Sequence, residues 1–187
     1  MRLFAAIELP EDVRLLLESS AQQLRVRLGR SVEARWVDQQ KLHLTVRFIG
    51  HVEDDGAPAL IDRVRVPIAV PPFHLRLSGC GVFPASGPPR VIWIGVVEGA
   101  MPLAQLHQEL NRRVAPFGYE PERRPFSAHL TLARVKTAKS IASVRAAVHA
   151  FTTPDIRCEV AQVTLFRSHL SPRGSRYEIV AAIPLVR

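Results

Sequence analysis

Apolar residues run almost unbroken from Leu3 to Leu9, which predicts a buried strand at the start of the chain. Pro10, Glu11 and Asp12 then open a helix, since a first helical turn accepts proline and favours acidic side chains. Val13, Leu16, Leu17 and Leu24 mark its apolar stripe, and Gly29 closes it. A short strand follows from Val32 to Val37, a turn from Asp38 to Lys41, and a second strand from Leu42 to Ile49. A further helix is expected from about Pro58 to Val66, before Pro71 and Pro72 break the chain. Phe73 to Leu77 alternates as a strand. A loop rich in Pro, Gly and Ser from Pro84 to Pro89 leads into the strand Val91 to Val97.

Leu103, Leu106, Leu110 and Val114 recur at helical spacing, and Pro116 and Gly118 end that helix. Phe126 to Val135 reads as a strand, and Ile141, Val144, Val148 and Phe151 as the stripe of a fourth helix. Val160 to Phe166 and Arg176 to Ile183 form a closing strand pair. Strands and helices mixed in this way, with hairpin-like links, argue for an α+β fold rather than a doubly wound parallel sheet. No linker is long enough to separate independent domains, so residues 1–187 are expected to form a single unit.

Two of these strands carry the same pattern. His43-Leu44-Thr45-Val46 and His129-Leu130-Thr131-Leu132 each place an imidazole and a hydroxyl on one face and leucines on the other, because strand side chains alternate. The histidines stand 86 positions apart (129 − 43), so only the fold can bring them together. A single copy is equally well read as a half-buried histidine with a satisfied hydrogen bond. Two copies in matching surroundings suggest a duplicated unit, each half supplying one wall of a site. Two groups titrating near neutrality beside two hydroxyl donors suit acid–base chemistry on a phosphate ester.

Charge fits an anionic partner without proving one. Lys and Arg number 25 against 17 Asp and Glu, a net charge of +8, and arginine, which grips phosphate with two hydrogen bonds, dominates. An arginine-favouring genome would give the same excess. Cys80 and Cys158 are far apart, match no metal spacing and are expected to pack as small apolar groups in a reducing compartment. No His, Cys or carboxylate cluster has ligand spacing, so no metal is expected. The N-terminus shows no secretory pattern and no segment is long enough to span a membrane, which leads to the expectation of a cytoplasmic protein.

An ordered set of segments resembles the two-histidine (2H) phosphoesterases, and among them the RNA 2',3'-cyclic phosphodiesterases, also called 2'-5' RNA ligases. It comprises Arg2 to Pro10, Trp36 ahead of Leu42 to Gly50, Gly81 to Pro84, and Pro89 to Gly95. Arg124 to Arg134 and Leu165 to Leu170, with Gly174 and Tyr177, complete it. Ala128 departs from the proline common in that family and is not expected to affect the chemistry. The resemblance implies two similar lobes, each an antiparallel sheet with helices packed outside, pseudo-two-fold related around a central cleft. It also implies hydrolysis of a 2',3'-cyclic phosphate to a 2'-phosphate, with His43 as proton donor to the leaving 3' oxygen and His129 as the base that activates water. The residues alone do not assign those two roles. Ligation through a 2'-5' linkage is the related reaction. No cofactor is needed in either case.

Thr45 and Thr131 are expected to hydrogen-bond the non-bridging phosphate oxygens, where charge builds up. Arg134 closes the second motif, and the resemblance makes it a phosphate contact. Strict alternation puts it on the wrong face, so a bulge or a strand end must turn it inward. Arg47 falls on the His43 face, where it could reach substrate or lie in solvent. Phe83 and Trp93 could stack on a base, with the core as the better reading for Trp93, while Tyr177 is undecided. His51, His74, His107, His149 and His169 lack the threonine context and are taken as structural or surface groups. The expected partner is an RNA end bearing a cyclic phosphate, tRNA fragments included, met by a monomer and away from membranes. Two rivals stay open: a non-catalytic RNA- or nucleotide-binding module on the same scaffold, and a phosphoesterase for a small cyclic nucleotide metabolite.

Overall fold

The structure, a computed structural model, describes residues 1–121, 125–171 and 174–187; Arg124, which opens the second motif segment, lies outside them. Nine strands and four helices follow one another among the described residues: β1 (Arg2–Glu8), α1 (Glu11–Leu28), β2 (Val32–Trp36), β3 (His43–His51), α2 (Ala57–Val64), β4 (Phe73–Phe83), β5 (Val91–Glu98), α3 (Ala100–Val114), β6 (His129–Ala138), α4 (Ile141–His149), β7 (Ile156–Val160), β8 (Gln162–Ser171) and β9 (Gly174–Pro184). They build two antiparallel sheets, ordered β3-β1-β8-β9 and β2-β6-β5-β4-β7.

The sheets repeat one plan. In the first, β1 lies between β3 and β8; in the second, β5 lies between β6 and β4. Thus β1, β3 and β8 correspond to β5, β6 and β4. The third strand of each trio comes from the other half of the chain: β4 follows α2 yet joins β5, and β8 comes after α4 yet joins β1.

Helices cover the outer faces. α3 packs against β3 and α2, α4 against β4, and α1 against α4 and β7. Leu103, Leu106, Leu110 and Val114 are fully buried, as their spacing in α3 requires. Arg113 is buried with them: its guanidinium donates to the carbonyls of Val64, Val66 and Pro67 at the end of α2, and to Glu109. The helix-facing core is continuous across both sheets. A separate small cluster of Phe4, Ala6, Phe166 and Tyr177 occupies the opposite face of the first sheet.

Several sequence expectations change. Leu16 is exposed, and α1 buries Val13, Leu17, Ala21, Leu24 and Leu28 instead. Ile141, at the first position of α4, is exposed too. β4 runs on past Leu77 to Phe83, and β7 is an additional edge strand in which Ile156, Cys158 and Val160 point inward and Arg157 and Glu159 outward; its five residues are a short run that adjoins β8. Among the described residues no helix is long and apolar enough to cross a membrane.

Candidate active site

A cavity of about 270 Å³ opens between the two sheets. Its walls carry His43, Thr45, Phe4, Phe48 and Tyr177 from the first sheet and His129, Thr131 and Arg134 from the second. Both His-x-Thr motifs therefore face a single space.

The two histidines are fixed in the same way. His43 Nδ1 lies 2.7 Å from the Lys41 carbonyl, and His129 Nδ1 lies 2.8 Å from the Ser127 carbonyl, two residues back in each case. A carbonyl only accepts, so each Nδ1 carries the proton and each Nε2 is left to do chemistry. His43 Nε2 is 3.0 Å from Thr45 Oγ1. Aromatic rings hold the imidazoles from the side. Phe4 and Tyr177 lie 5.1 Å and 5.4 Å from the His43 ring, and Phe83 meets His129 edge-on at 4.9 Å. Burial pushes the His43 pKa below its usual value; the Lys41 carbonyl opposes that shift and the Arg134 charge adds to it.

One irregularity decides which arginine reaches the cavity. In β3, Ala6 pairs with Thr45 and Ala5 with Arg47, leaving Val46 as an extra residue. In β6, Trp93 pairs with Thr131 and Ile92 with Ala133, leaving Leu132 extra. Each bulge puts two successive residues on the core side and brings the fifth residue after the histidine back to the cavity. That residue is Arg134 in β6, on the same cavity wall as His129. In β3 it is Phe48, 40% exposed.

Arg47 is correspondingly turned away. It is only 3% exposed, and its Nη2 donates to the Glu120 carbonyl at 2.6 Å, so the expectation that it faces substrate is corrected. Trp93 also differs from the core reading. It is half-buried between the buried Ile92 and Ile94 and lies over Gly81 and beside Phe83, at 5.1 Å between ring centroids. Phe83 is not on the cavity wall; it supports His129 and Trp93.

Arg2, Phe4, Lys41, Phe48, Ser168 and Ser175 line the cavity without having been singled out from sequence. Phe48 had a signal: it stands five residues after His43, as Arg134 stands five after His129. Phe4 had none, since every residue from Leu3 to Ile7 is apolar. His107, which lacks the threonine context, has a structural place. It is buried and donates from Nδ1 to the Val46 carbonyl at 2.8 Å on the edge strand β3. Its ring stacks on Phe126 at 4.5 Å, so it links the first motif to the segment leading into His129. The Cys80 thiol is buried and pushed up to about 12, which keeps it inert, and Cys158 is raised too.

Two similar antiparallel sheets, each offering a His-x-Thr strand to a shared cavity, define a class of phosphoesterase. The profile of the 2'-5' RNA ligase superfamily matches residues 13–172, and the chain belongs to that family, as a 2H phosphoesterase. An RNA 2',3'-cyclic phosphodiesterase of Thermus thermophilus is 33% identical over 192 aligned positions, covering 99% of this chain and 90% of that protein. The protein of the same name from Methanocaldococcus jannaschii is 27% identical, covering 96% and 98%. The solved structure of E. coli LigT complexed with 3'-AMP superposes with a TM-score of 0.75 at 28% identity, covering 100% of this chain and 98% of that one.

Proposed function

We propose that this enzyme opens 2',3'-cyclic phosphates at RNA ends to give 2'-phosphates, using His129 as base and His43 as acid. The observation that carries the reading is the matched pair of imidazoles, each with Nδ1 tied to a carbonyl and each on the wall of one cavity that Arg134 also lines. The names of the relatives support the substrate class.

His129 Nε2 takes a proton from water as the water oxygen attacks phosphorus. The P–O3' bond breaks, and His43 Nε2–H delivers a proton to the departing 3' oxygen. Attacking and leaving oxygens lie on opposite sides of phosphorus, which is why opposed walls serve the reaction. Thr45, Thr131 and Arg134 take the non-bridging oxygens. The two histidines end with exchanged protonation and reset through solvent. A 5'-hydroxyl in place of water would give a 2'-5' linkage with the histidines in the same roles.

Burial, and more weakly the Arg134 charge, bias His43 toward its neutral form. A phosphodiester anion bound beside the imidazole acts against both, since a nearby negative charge favours the protonated acid. Once His43 Nε2 carries that proton, it can donate to Thr45 Oγ1, leaving the threonine O–H free for phosphate.

The test is hydrolysis of an oligonucleotide ending in 2',3'-cyclic phosphate, in EDTA, by the unsubstituted enzyme, His43→Ala and His129→Ala. Each substitution is expected to remove most turnover with little change in substrate binding. Near-normal rates in either variant refute the two-histidine mechanism, and loss of activity in EDTA points to metal chemistry instead.

A further inference from the structure

The cavity does not stop at Arg134. Five of its lining residues, Val37, Lys41, Arg134, Ser175 and Tyr177, also border a side groove of about 120 Å³ whose far wall adds Arg35, Trp36 and Asp38. Arg134 therefore stands at the junction of the two spaces, and Arg35 touches only the second.

Arg35 and Arg134 are direct cross-strand partners in the β2–β6 ladder. Such partners hold their Cβ atoms roughly 5 Å apart and project from the same face. Lys41 adds a third cation, and Asp38 is the one carboxylate among the described lining residues, itself paired with Lys41. Tyr177 and Ser175 contribute neutral hydroxyls. The Arg35 guanidinium also lies against the β8–β9 hairpin, in the space a Cβ on Gly174 would enter, 2.2 Å from Arg35 Nη2.

A row of guanidiniums that starts in the catalytic cavity and continues away from it matches a strand carrying one phosphate per nucleotide. We infer that the Arg35 groove is a subsite for the phosphodiester linking the cyclic-phosphate nucleotide to its 5' neighbour, so that the enzyme selects oligonucleotides over mononucleotides. This rests on the phosphoesterase reading proposed above. Arg134 holds the reacting phosphate, Arg35 the next one, and Trp36 closes the groove beside it.

The experiment compares two substrates, a trinucleotide ending in 2',3'-cyclic phosphate and the mononucleotide 2',3'-cyclic AMP, with the unsubstituted enzyme, Arg35→Gln and Arg35→Lys. Losing one charge-assisted phosphate contact is expected to raise the KM for the trinucleotide about tenfold in Arg35→Gln, with kcat little changed. The slope of log(kcat/KM) against log[salt] should shallow by about one. Turnover of 2',3'-cyclic AMP should stay as it was, and Arg35→Lys should recover part of the trinucleotide KM. An equal KM rise for both substrates, or no change for either, overturns the subsite while leaving the two-histidine reading intact. Failure of the unsubstituted enzyme to turn over either substrate overturns that reading and the subsite with it.

Discussion

Gly81→Ala tests how tightly the second half-site is built. A Cβ at this position would lie 2.2, 2.4 and 2.8 Å from the Cζ2, Cη2 and Cε2 atoms of Trp93. Carbon atoms settle at about 3.5–4.0 Å, so the indole must retreat by roughly 1.5 Å. It has little room. The Phe83 ring is at 5.1 Å on one side, and Trp93 Cζ3 is already 3.4 Å from where a Gly95 Cβ would be. Overpacking of this kind costs about 1–3 kcal/mol. Any shift passed to Phe83 reaches the edge of His129, 4.9 Å away, and a displacement of about 1 Å in a reacting group costs on the order of 10²-fold in rate.

Urea unfolding should therefore give Gly81→Ala a lower midpoint with an unchanged slope, and steady-state hydrolysis of a cyclic-phosphate oligonucleotide should show reduced kcat. Trp93→Ala removes the obstacle, so adding Gly81→Ala to it should cost almost nothing further. A Gly81→Ala protein within about 0.5 kcal/mol of the parent, with normal kcat, refutes the reasoning.

With His43 as the acid, kcat/KM should fall as pH rises through its free-enzyme pKa, which lies below 6.5, while the corresponding limb of kcat lies at higher pH. Arg134→Gln removes a charge that lowers this pKa and should move the kcat/KM limb upward; a shift in the rising acid limb instead would make His43 the base. His107→Leu strips the Val46 carbonyl of its donor and should cost about 1–3 kcal/mol in urea unfolding. It should also lower kcat with KM retained, and His107→Gln, which keeps a donor, should restore part of both.

What could be read from the sequence was whatever depends on periodicity or on the repeat. The stripe of α3 and the two His-x-Thr faces follow from local spacing, and the duplication pointed to a shared site. The Arg47 reading failed because strict alternation does not survive an inserted residue, and nothing local marks Val46 as extra. A bulge in β6 does bring Arg134 to the cavity wall, and the same step applied to the first copy yields Phe48. β7 does alternate, Ile156, Cys158 and Val160 against Arg157 and Glu159, but five residues directly ahead of β8 are too short a run to separate from it. Lys41, Ser175 and Arg2 reach the cavity through tertiary arrangement alone, which no periodicity encodes.

The exchange of β4 and β8 between halves means that neither half owns a complete sheet. A segment from β1 to β4 alone would hold β1 and β3 with a bare edge where β8 belongs, and a β4 with no β5 to join. Two copies of such a segment would satisfy both needs reciprocally, as a domain-swapped dimer whose symmetry axis runs through the cavity and whose two histidines come from different chains. In the order of these strands the single chain has the topology of that dimer joined end to end. Within one chain the two sides need not match: the position that presents Arg134 on one wall presents Phe48 on the other, which gives the cavity a direction.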